Sequence, residues 1–133
     1  MKSKFSVRFS LLLILLVLGI GYNGRPLYDS DKGRALAAET LKVTFVELGS
    51  VNCIPCKMMK PVMDQVEKKY PGQVKVVFHD VWTEQGKAEG RKYNIRIIPT
   101  QVFLDKNGKE YFRHEGFFPF EDVEKVLKQQ GVK

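Results

Sequence analysis

Glu47-Leu48-Gly49-Ser50-Val51-Asn52-Cys53-Ile54-Pro55-Cys56-Lys57-Met58 is the stretch on which the reading of this chain turns. It joins two different patterns. Upstream, Leu41–Leu48 is strand-like, with Val43, Phe45 and Val46. Downstream, Cys53–Tyr70 places Met58, Met59, Val62, Met63, Val66 and Tyr70 at helical spacing. Pro71-Gly72 stops that helix. Two cysteines therefore sit where a strand hands over to a helix. At a helix start, unpaired backbone N–H groups and the positive end of the dipole favour a thiolate. The thiolate is the species that attacks a disulfide. Two intervening residues bring the second sulfur within disulfide reach of the first. Cys53 is then the exposed attacker and Cys56, one turn in, the resolver. Pro55 suits the first turn, where its missing N–H costs nothing.

The rest of the chain alternates. Gln73–Val81 holds Val74, Val76, Val77 and Phe78, a buried strand, and Glu84–Tyr93 reads as a polar helix. Thr100–Asp105 and Lys109–His114 are strands, joined at Lys106-Asn107-Gly108 by a hairpin turn whose Asn-Gly supplies the positive φ angles. Pro119–Gln130 is an amphipathic helix carrying Phe120, Val123, Val126 and Leu127. This order implies an α/β fold, a central mixed sheet flanked by helices on both faces.

Composition bounds the alternatives. A chain of 133 residues holds one domain, and 44% hydrophobic with 28% charged residues is ordinary globular composition. That excludes a disordered tail protein, a collagen-like chain and a multi-span membrane protein. Two cysteines exclude a disulfide-dense scaffold. The net charge of +7 is concentrated at the start, where residues 1–37 carry six basic and two acidic residues. No nucleic-acid partner is expected from that distribution. Lys2, Lys4 and Arg8 lead into an uncharged apolar run, Phe9–Tyr22. As helix it rises about 21 Å, short of a ~30 Å hydrocarbon core. Residues 1–22 read as a signal peptide or membrane anchor, with a buried core helix as the bland alternative. Ala35-Leu36-Ala37 offers small residues for a signal peptidase but lies well past the run, while Gly19-Ile20-Gly21 is nearer and poorer. Flanking residues could extend the run into a tilted anchor, so cleavage and retention both stay open. If uncleaved, residues 5–22 contact the membrane. Either outcome places the remainder extracytoplasmically, in the periplasm or on the outer face of the cytoplasmic membrane. Residues 23–38 read as linker, with a short helix capped by Ser30 over 30–39, and 39–133 as the domain.

The cysteine pair has rival readings. A plain stabilising disulfide is one, although a two-residue loop removes little unfolded-state entropy. Zinc wants four ligands, and His79 and His114 lack suitable spacing, so no metal site is assigned. Two thiolates alone could hold Cu(I), which keeps a Cu(I) chaperone or binding module open.

Cys53-Ile54-Pro55-Cys56-Lys57-Met58, followed by Pro61, resembles the active-site helix of thioredoxins. Tyr93-Asn94-Ile95-Arg96-Ile97-Ile98-Pro99-Thr100 resembles the family's second signature, which ends in a cis-proline loop facing the cysteines. Lys106-Asn107-Gly108-Lys109 and Gly116 fall where thioredoxins have their hairpin turn and late glycine. The resemblance covers roughly residues 39–133 and implies a thioredoxin-like fold. It implies a redox disulfide between Cys53 and Cys56 and no other cofactor. It implies a cis Ile98–Pro99 bond that leaves the Ile98 backbone free to pair with an extended substrate strand, Pro99 keeping metals off the sulfurs. Glu47 takes the place of a buried Asp that exchanges a proton with the resolving cysteine.

Departures are visible too. Asn52 and Gly49 stand where thioredoxins carry tryptophans, and Phe78 where they carry a buried lysine. Trp82, at a strand end on the cysteine side, is assigned to the space vacated at Gly49 and, with Asn52, to the substrate rim. Pro61 should kink its helix, and Met58, Met59 and Met63 should fill core. His79 should be a packed strand residue and His114 an exposed hairpin residue, while Phe117, Phe118 and Phe120 seat the last helix. The function this implies is a bacterial extracytoplasmic thiol–disulfide oxidoreductase, monomeric, reducing disulfide-containing exported proteins. Its electrons would come from a membrane thiol carrier. A disulfide-forming oxidase and a binding module with a vestigial redox pair are the further alternatives.

Overall fold

A computed structural model describes residues 40–133. The apolar run, the linker and its short helix lie outside the described residues. The elements are β1 (Val43–Gly49), α1 (Ile54–Lys69), β2 (Val74–Asp80), α2 (Glu84–Lys92), β3 (Thr100–Asp105), β4 (Glu110–Glu115) and α3 (Phe120–Lys128). The sheet order is β2-β1-β3-β4. Strands β1 and β2 are parallel because α1 carries the chain back between them. Strand β3 runs antiparallel to both β1 and β4. This is a thioredoxin-like α/β fold with a four-stranded mixed sheet. The β3–β4 turn departs from the Asn-Gly expectation, since only Gly108 takes a positive φ, at 78°. The Asp105 carboxylate holds the turn instead, accepting from the N–H groups of Asn107 at 2.8 Å and Lys109 at 3.0 Å.

Strand alternation sends Val43, Phe45, Glu47 and Gly49 to one face and Thr44, Val46 and Leu48 to the other. On the first face Val43, Phe45 and Phe103 pack with Met59, Val62 and Val66 of α1 and Val123, Val126 and Leu127 of α3. Phe45 and Phe103 stack with centroids 4.8 Å apart. On the second face Val46, Leu48 and Val102 pack with Val81, Tyr93 and Ile95, beside α2. Burial on both faces explains why the sequence of β1 is almost continuously apolar.

Some side chains differ from the sequence reading. Met59 is fully buried and Met63 partly so, but Met58 is half exposed, because only positions three or four apart share the α1 core stripe. Phe118 and Phe120 are buried and seat α3, whereas Phe117 is exposed. His114 is not an exposed hairpin residue. Its ring stacks on Phe118 at 4.1 Å, and its Nε2 lies 3.2 Å from the Phe117 carbonyl. Alternation puts His114 on the covered face of β4. His79 is packed as expected, half-buried against Tyr93 with Nε2 3.9 Å from Glu89. Pro61 lies inside α1 and faces solvent.

Helix α2 has little apolar surface and is seated by glycine. Thr83 caps it, its hydroxyl accepting from the Gly86 N–H at 3.0 Å and donating to the Asp80 carbonyl at 2.7 Å. A Cβ on Gly86 would lie 1.7 Å from the Asp80 carbonyl oxygen, whereas one on Gly90 would meet Ile95 and Val81 at ordinary distances from 3.5 Å. Gly86→Ala should therefore cost at least about 2 kcal/mol in urea unfolding, as overpacking against backbone does. Gly90→Ala should be neutral or stabilise by up to about 1 kcal/mol through helix propensity. Equal effects of the two variants would contradict this seating.

Candidate active site

Cys53 is the N-cap of α1, in extended backbone conformation. Its Sγ accepts from the Cys56 N–H at 3.4 Å, and its carbonyl accepts from the Lys57 N–H at 3.0 Å. Pro55 sits in the first turn, and no acidic side chain lies there. Sulfur thus occupies the place usually held by a serine or aspartate oxygen. Once reduced, that position favours the Cys53 thiolate through the orphan N–H groups and the helix dipole. Cys53 and Cys56 form a disulfide with Cα atoms 5.2 Å apart. Cys53 is partly exposed, and Cys56 is buried at 4% exposure. The pair therefore has an outer and an inner sulfur.

The inner sulfur rests on β1. A Cβ built on Gly49 would lie 3.1 Å from the Cys56 Cβ and 3.2 Å from its Sγ, with Phe78 at 3.5 Å. Cys56 and Phe78, not Trp82, therefore occupy the space at Gly49, which corrects the assignment made from sequence. Trp82 stands in the turn after β2, 57% exposed. It lines a groove of about 510 Å³ together with Lys87, Arg91, Arg96, Ile97 and Ile98. A second groove of about 430 Å³ runs past the flank of Cys56, between Val51, Met63, Val76 and Phe78.

Glu47 lies two residues before Gly49 on the same face and is fully buried. Its β2 partner is Phe78 and its β3 partner is Gln101, which is also fully buried. Neither Glu47 oxygen has a hydrogen-bond partner among the described residues, nor does either polar atom of the Gln101 amide. Burial pushes the Glu47 carboxyl up from 4.5 to about 8. The nearby Gln101 amide offsets only part of that rise. The amide is beside the carboxyl without closing a hydrogen bond in this arrangement. Glu47 is therefore protonated at neutral pH. Gln101 carries no motif of its own in the sequence, although an amide directly before the apolar run Val102–Leu104 and two residues after Pro99 is a usable signal.

Several segments meet at this end of the sheet. Leu48 pairs with Thr100, Gly49 with Asp80, and Thr100 with Glu115, so the cysteine loop, the Trp82 turn, the proline loop and Gly116 share one edge. The Ile98–Pro99 peptide is cis. The Pro99 carbonyl accepts from the Gly116 N–H at 2.8 Å, and the Thr100 hydroxyl donates to the Ile97 carbonyl at 2.7 Å. Ile98 makes no hydrogen bond among the described residues. Asp80 ties the loops together, its carboxylate accepting from the Trp82 N–H at 3.0 Å and the Val51 N–H at 3.5 Å. Asn52 is exposed, its N–H on the Ser50 hydroxyl at 3.3 Å. Among the described residues no cluster of three or more His, Cys, Asp or Glu could hold a metal ion.

Comparison with known proteins bears on this site. A thioredoxin-like domain family model matches residues 30–131. Thioredoxin M4 of the chloroplast of Arabidopsis thaliana is 32% identical over 85 residues, 64% of this chain and 42% of that protein. Thioredoxin H-type of Oryza sativa subsp. indica is 35% identical over 82 residues, 62% of this chain and 64% of that protein. Both spans fall short of two thirds of the relative's length. A Staphylococcus aureus thioredoxin is 31% identical over 85 residues, 64% of this chain and 79% of that protein. Among solved structures, chloroplastic thioredoxin z has a TM-score of 0.61 at 26% identity, covering 79% of this chain and 91% of that one. A mutant thioredoxin from Halobacterium salinarum NRC-1 has a TM-score of 0.61 at 19% identity, covering 74% of this chain and 81% of that one, a likeness of fold.

The raised Glu47 carboxyl makes stability depend on pH. Unfolded, the group ionises near 4.5; folded, near 8. Its contribution is fully present below pH 4.5 and is lost as pH rises through about 8. The slope in that window is about 1.4 kcal/mol per pH unit. Glu47→Gln in the disulfide form should therefore gain on wild type between pH 5 and pH 8, by several kcal/mol in all, and no further above that range. Guanidinium unfolding across pH measures the difference, and a constant difference would exclude a neutral Glu47.

Proposed function

The chain belongs to the thioredoxin-like domain family, and from that premise we propose that it is an extracytoplasmic thiol–disulfide oxidoreductase that reduces disulfides in exported proteins. The observation that carries this reading is the division of labour in the pair, one sulfur reachable at a helix N-cap and the other buried over Gly49. The Cys53 thiolate attacks a client disulfide, forming a Cys53–client mixed disulfide and releasing the client's other sulfur as a thiolate. Glu47, in its ionised form, which is the minor one at neutral pH, takes the proton from the Cys56 thiol. The Cys56 thiolate then attacks Cys53 Sγ, re-forming the Cys53–Cys56 disulfide and releasing the second client thiolate. Solvent protonates the client, which leaves reduced by two electrons. A dithiol donor must restore the pair, and a membrane thiol carrier suits a domain held at or beyond a membrane.

The client strand docks along the unpaired Ile98 backbone, adding to the sheet end as an extra strand. Trp82, Ile97 and Asn52 form the rim of that site. The N-terminal sequence, basic residues leading an apolar run, supports export or anchoring. Pro55 beside Cys56 matches reducing members of the family more than oxidising ones.

Two measurements test this. A Cys56→Ser variant should trap clients as mixed disulfides on Cys53, and Cys53→Ser should trap none and abolish insulin reduction. Failure to recover any disulfide-linked protein from the native compartment would argue against catalysis. The reduction potential of the pair should lie near the thioredoxin end, about −270 mV; a value near −120 mV would make the protein an oxidase.

A further inference from the structure

Glu47 and Gln101 face each other in the β1–β3 ladder, both fully buried, with all four of their side-chain polar atoms unpartnered. An isolated orphan of this kind costs about 1–3 kcal/mol, so two in one cross-strand pair call for an explanation. A carboxamide is an unusual partner in one respect. It offers both a donor and an acceptor, and exchanging them takes only rotation of the amide. A carboxylic acid needs an acceptor for its O–H, and a carboxylate needs donors. Gln101 satisfies either state without carrying charge into the core.

The surroundings leave it that role alone. From β2 the register partner of Glu47 is Phe78, which carries no charge. From α1 the titratable group above Gly49 is Cys56. From β4 the partner of Gln101 is His114, whose Nε2 is engaged by the Phe117 carbonyl. From the α3 side Phe118 covers His114, and Glu124 is committed to Tyr70, Lys69 and Lys128. No cation faces the carboxyl among the described residues.

We infer that Gln101 is the positioning residue for Glu47: its amide donates through Nε2 to the carboxylate before the proton leaves Cys56, and accepts through Oε1 from the acid afterwards. This rests on the reading of Glu47 as the group that takes the Cys56 proton. The step moves one proton from sulfur to carboxylate, with the amide rotating and nothing oxidised or reduced.

The test uses the full chain, reduced and treated with 5,5′-dithiobis(2-nitrobenzoate), so that Cys53 carries thionitrobenzoate and attack by Cys56 releases it. The release rate is followed across pH, and the Glu47 carboxyl is titrated by carbon-13 NMR. Gln101→Leu and the similarly sized Gln101→Met should raise the Glu47 midpoint by about one pH unit and slow release about tenfold at pH 7, since one unit is a tenfold change in ionised fraction. The rate should recover at high pH. Gln101→Asn should restore part of the shift. In a Glu47→Gln background the same changes should have no further effect. Midpoints unchanged in both the Leu and the Met variants, or equal slowing with and without Glu47, would overturn the role of Gln101 and leave that of Glu47 intact. Wild-type release by Glu47→Gln at every pH would instead overturn the proton-transfer reading itself.

Discussion

Helix α1 begins directly above the end of β1, so closely that Cys56 lies within about 3 Å of where a side chain on Gly49 would start. That contact sets everything around it. It buries one sulfur and leaves the other at the helix cap. It forbids bulk at Gly49 and lets Phe78 into the gap. It also sets the inner thiol over Gly49, which lies one pleat, about 7 Å along the strand, from Glu47. Remove the close approach, and the two sulfurs become equivalent surface groups with no carboxyl beneath them.

The elements themselves were readable because each carries a strong local signal. The period of Met59, Val62 and Val66, the stop at Pro71-Gly72 and the cysteine spacing all act within a few residues. Bounds agree to within about two residues for the same reason. What escaped depends on pairing across strands. The row Phe78, Glu47, Gln101, His114 is assembled from four strands and is contiguous only in the register. No local pattern shows that His114 stacks on Phe118, or that Trp82 points along the proline loop rather than into the hollow at Gly49. Gly86 escaped because its constraint, the Asp80 carbonyl, lies in the preceding strand.

Charge is handled differently inside and out. The exposed ion pairs, such as Lys60–Asp64 and Lys87–Glu84, are local helix pairs of small energetic weight. The buried acid has no countercharge among the described residues and stays neutral until the pH is alkaline. A neutral buried acid avoids most of the cost of desolvating an ion, and the cost that remains falls due only when a proton must be moved. Under the proposed proton transfer, stability and chemistry meet in one carboxyl, and the fold tolerates it because it is rarely ionised.

Trp82 is the sole tryptophan of the chain, and it stands exposed in a turn whose N–H is fastened to the carboxylate that also holds Val51 of the cysteine loop. Indole emission, excited selectively over the five tyrosines, is consequently a local signal from the turn that Asp80 ties to the cysteine loop. A redox change at the pair, and the client docking proposed beside it, would each have a built-in optical reporter that needs no label.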